Sequence, residues 1–125
     1  MNEIIDTRGQ FDSSLPDGER DFRVENIRKI EKGPTTLYVW ELSFDGAGEQ
    51  EWGEQVFLPS MMGNLLRLLG CEEISPKKFK WDPQLLVGRQ FVATVSRHPD
   101  KKKPEVIRQE MDGFKKSDKE SEIPF

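Results

Sequence analysis

A chain of 125 residues supports one domain with room for polar ends. Apolar residues make up only 34% of it, yet three Trp, eight Phe and one Tyr supply bulky core material that disordered chains lack. One Cys and one His exclude an intrachain disulfide and a Cys/His zinc site within one protomer, so no metal and no other cofactor is expected. No apolar run reaches the length of a membrane span, and Met1–Asp6 lacks a basic region followed by an apolar stretch, so a cytoplasmic location without membrane contact is expected. The net charge of −4 hides an asymmetry: residues 1–54 hold thirteen acidic and six basic residues, whereas residues 77–116 hold eleven basic and five acidic. Such a distribution fits a body with one basic face and acidic extremities.

Residues 1–19, with Gly9, Ser13, Ser14, Pro16, Asp17 and Gly18, read as a flexible amino-terminal arm. From Asp21 to Ile30 the imperfect alternation of Phe22, Val24, Ile27 and Ile30 predicts a bent or bulged strand, closed by a turn at Lys32-Gly33-Pro34. Thr35 to Phe44 is the clearest strand, with Leu37 and Val39 on one face and Tyr38, Trp40, Leu42 and Phe44 on the other. Apolar residues on both faces suit a curled sheet. Asp45-Gly46-Ala47-Gly48 marks a turn, and Trp52 to Leu58 reads as a third strand.

Pro59-Ser60 then introduces Met61 to Leu69, whose apolar residues cluster at helical spacing until Gly70 supplies a stop. Residues 71–86, with Pro76, Pro83 and Lys77-Lys78-Phe79-Lys80 beside Trp81, read as a connecting loop whose return is anchored by Leu85 and Leu86. Val87 to Val95 is a fourth strand, Pro99 to Pro104 a basic turn, and Glu105 to Phe114 a fifth strand. Three strands, a helix and two strands is the order of an OB-fold, an order another β-barrel can share, and the expectation is an all-β chain with one short helix, built as a five-stranded Greek-key OB barrel over residues 20–114.

Residues 115–125 read as a disordered acidic tail, in which Ser117-Asp118-Lys119-Glu120-Ser121-Glu122 precedes Ile123-Pro124-Phe125. A large ring and a free α-carboxylate on one terminal residue offer a partner two handles, and Pro124 limits the freedom lost on docking. This tip resembles that of bacterial and phage single-stranded DNA-binding proteins, whose acidic tails end in Ile-Pro-Phe and recruit replication, recombination and repair enzymes. The tail departs from that pattern in its few acids, in Lys119 and in Glu122, where Asp is usual. Residues 20–114 also resemble the small phage members of that family, through Leu86-Val87-Gly88-Arg89-Gln90-Phe91 lying ahead of the basic hairpin.

The resemblance implies a non-catalytic protein that coats and protects single-stranded DNA in replication, recombination or repair, in the cytoplasm of a bacterium or a phage-infected host. It also implies enzyme partners at Asp118, Glu120, Glu122, Ile123, Pro124 and Phe125. Because relatives often assemble several OB-folds, a homo-oligomer stays open. Sequence-tolerant binding needs cations along phosphates and flat rings beneath bases. Candidate rings are Tyr38, Trp40, Trp52 and Trp81, each equally suited to filling a core, with full burial least expected for Trp81 and Tyr38. Candidate cations are Arg28, Lys29 and Lys32 at the first turn, Lys77, Lys78 and Lys80 in the loop, and Arg89, Arg97, Lys101, Lys102, Lys103 and Arg108 along the last hairpin.

Cys71 is read as a packing residue and His98 as a surface one. No nuclease, P-loop or nucleophile pattern is present, which argues against an enzyme. The alternative of another class is an OB-like adaptor that binds protein rather than DNA.

Overall fold

The computed structural model describes residues 15–46, 49–76 and 78–118. Strand β1 spans Gly18–Lys32, β2 Thr35–Gly46 and β3 Glu49–Phe57. A 3-10 turn at Pro59–Met61 leads into helix α1, Gly63–Leu68. A hairpin of β4 (Glu72–Ser75) and β5 (Lys78–Lys80) follows, then α2 (Pro83–Leu86), β6 (Gln90–Pro99) and β7 (Ile107–Lys116). The five long strands form one antiparallel sheet in the order β3-β2-β1-β6-β7, and β4-β5 form a separate pair.

The first strand bends as its broken alternation requires. Its register against β2 shifts between Val24 and Asn26, which makes Glu25 the extra residue. Its first half pairs with β6, from Gly18 opposite Val95 to Arg23 opposite Gln90, while its second half pairs with β2 alone. One long strand thereby serves two neighbours and curls the sheet around a core of Phe22, Val24, Trp40, Leu42, Phe57, Leu65, Phe91 and Val95. The aromatic members meet at tilted and edge-on angles, with Phe22–Phe91 centroids 5.9 Å apart and Trp40–Phe57 5.8 Å apart. α1 buries Leu65 and Leu66 into this core.

Four expectations need correction. The sheet does not close into a barrel by strand pairing: among the described residues, the edge strands β3 and β7 share no ladder and meet through side chains instead. Second, the stretch 71–86 contains a hairpin and a second helix rather than an irregular loop, and Asp82 caps α2 by accepting from the Gln84 N–H at 3.0 Å. Leu86 anchors that segment at 4% exposure, whereas Leu85 is 75% exposed. Third, residues 15–19 do not belong to a flexible arm, because Leu15 is fully buried and β1 already begins at Gly18. Fourth, residues 115–117 are part of the fold and not of a disordered tail: Lys115 and Lys116 continue β7, and the buried Ser117 hydroxyl donates to Asp21 at 2.5 Å.

Residues 1–14 of the proposed arm, and Lys77, Glu120, Glu122, Ile123, Pro124 and Phe125 among the candidate site residues, lie outside the described residues. No described helix is long and apolar enough to cross a membrane.

Candidate nucleic-acid interface

The register of β2 and β3 decides which rings a ligand can reach. Trp40 stands opposite Gln55 and Ser43 opposite Trp52. On β3 the inward positions are Gly53, Gln55 and Phe57, so Trp52, of opposite parity, points outward at 54% exposure. Trp40 is on the inward side of β2 and is fully buried, which removes it from the candidate base platforms. Its ring fills the core against Phe57 and Phe91, and its indole Nε1 has no hydrogen-bond partner.

Trp81 and Tyr38 occupy the boundary between core and solvent, both partly buried. The Trp81 ring lies almost parallel to Trp40, at 8° and 6.3 Å between centroids, and meets Tyr38 edge-on at 5.2 Å. Trp81 therefore rests on a ring that cannot move away. It also lines a cleft of about 360 Å³ together with Leu69, Cys71, Lys80, Leu85 and Arg89. Burial pushes the Cys71 thiol above its ordinary pKa, against a smaller opposite pull from Arg89. Cys71 is thus a neutral part of the wall.

The candidate cations divide by what they already hold. Arg28 donates to Glu41 at 3.0 Å and to Glu54 at 2.5 Å, tying three strands together across the outer face. Desolvation opposes its charge, but hydrogen bonds to Glu54 and Glu41 outweigh it and raise its pKa. Arg97 donates to Asp17, to the Leu15 carbonyl and, at 3.2 Å, to Gln109 Oε1, so it fastens the chain ahead of β1. Arg89 donates to the Leu69 carbonyl at 3.1 Å and joins the start of β6 to the end of α1. These three guanidiniums bind the fold together, a use the sequence does not reveal because most of their partners come from distant parts of the chain.

Lys29 pairs with its neighbour Glu31 at 3.3 Å, and Lys32 is exposed at the β1–β2 turn, where Gly33 adopts φ of 60°. Lys78 and Lys80 are exposed on β5, within three residues of Trp81. Lys101, Lys102 and Lys103 are exposed in the β6–β7 loop. There the Lys102 backbone N–H, and then Arg108 at 3.1 Å, donate to Asp100 and lower its pKa. His98, Lys101, Lys102 and Arg108 line a shallow depression beside Asp100 and Glu110. The structure thus gathers Trp81, Tyr38, Lys78 and Lys80 at one corner and keeps Lys101–Lys103 in a second basic element; Trp52 projects from the outward side of β3.

Among the described residues, no group of three or more His, Cys, Asp or Glu side chains is arranged to hold a metal ion. Sequence reasoning did not single out Gln109, which links the edge strands. Its amide donates to Gln55 Oε1 at 2.8 Å and to the Glu54 carbonyl at 2.9 Å, while its Oε1 accepts from the Leu15 N–H at 2.8 Å. An isolated polar residue in a polar strand carries no signal of such a role. The chain matches no protein-family model, and comparison with curated proteins finds no match.

Proposed function

We propose that this chain is a non-catalytic, OB-type module that binds single-stranded DNA without sequence preference and recruits partner enzymes through Ile123-Pro124-Phe125. The sheet order, with α1 between the third and fourth long strands, supports the OB reading. The gap between β3 and β7, bridged by Gln55 and Gln109, is then the seam of an incompletely closed barrel. A fold of this type hosts many activities, so the functional weight falls on the site.

The observation that carries the reading is the half-buried Trp81–Tyr38 corner beside Lys78 and Lys80. It supplies a braced π surface next to cations, the two elements that sequence-tolerant binding of unpaired bases requires. Trp52 is a second exposed ring. The tail acts separately, with Asp118, Glu120 and Glu122 favouring a basic partner surface.

Titration of tryptophan fluorescence with oligo-dT and with a duplex of equal length, at low and moderate salt, tests this. Quenching by the single strand that weakens with salt and is small with duplex is expected, because Trp52 and Trp81 are accessible while Trp40 is not. No response to either nucleic acid rejects the DNA-binding reading. The adaptor alternative then gains weight from one feature, the exposed Ile30, Val56 and Leu58 around the end of the β1–β2–β3 sheet.

A further inference from the structure

The cleft between α1, the β4–β5 hairpin and α2 is a better defined feature than a flat stacking face. Leu69, Trp81, Leu85 and Leu86 give it apolar walls, and Lys80, Arg89, Glu72 and Asp82 give it polar ones. Its volume of about 360 Å³ falls within the range of about 300–1,000 Å³ typical of small-molecule sites. Trp81 is its one aromatic wall, and that ring is fixed from behind by Trp40 at 6.3 Å and from the edge by Tyr38 at 5.2 Å. A ring held in this way loses little freedom when another ring stacks on it. Leu85, 75% exposed in a four-residue helix, leaves an apolar lip without cover from the described fold.

The geometry points to a pocket for one nucleobase, turned out of the single strand and stacked on Trp81, with Lys78 and Lys80 of the hairpin against the adjoining phosphates. This inference rests on the DNA-binding reading above and deepens it. It assigns a discrete base subsite to the edge of the molecule, away from the outward face of β3 that carries Trp52. An unpaired base is the occupant that matches both halves of the site. Its face suits the indole and Leu85, and its edge donors and acceptors suit the mixed carboxylate and cation rim. Lys80 in the cleft wall and Lys78 beside it on β5 match the phosphates of the strand that base belongs to.

The test uses the full chain and an oligo-dT carrying one 5-iodouracil, with photo-crosslinked peptides mapped by mass spectrometry and affinity followed by fluorescence anisotropy. The adduct is expected on Trp81 or elsewhere within 78–86. Leu85→Glu, at an exposed position, is expected to weaken affinity about five- to hundredfold, as loss of one stacked base would. Leu58→Glu, which places the same charge on another exposed leucine, is expected to change affinity less than twofold. Retained binding with adducts only outside the cleft and no effect of Leu85→Glu overturns the pocket while leaving the DNA-binding reading intact. Absence of single-strand binding in the unaltered chain overturns both.

Discussion

Gln109 shows how one side chain can hold together edges that backbone pairing leaves apart. Its amide serves Gln55 and the Glu54 carbonyl on β3, while its oxygen takes the Leu15 N–H and Arg97. Gln55 is 2% exposed, so water cannot readily replace a lost partner. Each buried polar group left unpaired costs about 1–3 kcal/mol. Gln109→Ala is therefore expected to destabilise the chain by about 2–4 kcal/mol, since it strands Gln55 Oε1 and the Leu15 N–H together. Urea unfolding measures the loss, and amide exchange should quicken first at Leu15. A change below 0.5 kcal/mol, typical of an ordinary surface site, would mean that the seam is held by other contacts.

At the scale of elements, the β4–β5 hairpin depends on α1 for its position. Arg67 of α1 donates to both carboxylate oxygens of Glu73, at 3.0 and 3.3 Å, donates to Asn64 Oδ1 at 3.1 Å and lies 5.4 Å over the Phe79 ring. An exposed ion pair screened by solvent contributes little to global stability. Arg67→Ala should therefore leave the unfolding midpoint nearly unchanged. Amide exchange across 72–80 should nevertheless accelerate, because a short hairpin is marginal on its own. If exchange there stays as slow as in the unaltered chain, the hairpin is held by Phe79 packing and not by Arg67.

This hairpin also marks where the sequence stops being legible. The long strands announce themselves because β2 alternates over ten residues and because Lys32-Gly33-Pro34 and Gly70 break the pattern where the chain turns. β4 and β5 are four and three residues long and expose all but Phe79, so neither carries an alternating apolar signal. Leu15 was hidden similarly, as one apolar residue in a stretch of Ser, Pro, Asp and Gly whose place in the core is set by Arg97 and Gln109 from other strands. The tryptophans illustrate a further limit. Deciding that Trp40 is inside and Trp52 outside requires the parity of β3, and its inward positions are Gly53, Gln55 and Phe57, of which two are not large and apolar. Trp81 could be placed at the border because it sits among lysines.

For the molecule as a whole, charge is divided between elements that build the fold and elements that face outward. Arg28, Arg89 and Arg97 are engaged by Glu41 and Glu54, by the Leu69 carbonyl, and by Asp17, Leu15 and Gln109. The exposed lysines of β5 and of the β6–β7 loop are then the cations best placed to meet a polyanion. Counterion release turns that division into a measurable slope. For single strands, log affinity falls against log salt by about 0.7 for each phosphate neutralised. If Lys101, Lys102 and Lys103 each meet one phosphate, replacing all three by Ala should flatten the slope by about 2. Replacing Lys78 and Lys80 should flatten it by about 1.4 and also reduce tryptophan quenching, because those residues flank Trp81. Arg28→Ala, by contrast, should lower stability by removing the guanidinium from Glu54 and leaving Glu41 with Asn26 alone, and should leave the slope almost unchanged. A slope that responds to Arg28 but not to the two lysine groups would relocate the phosphate path to the outer face of β1–β2–β3, beside Trp52.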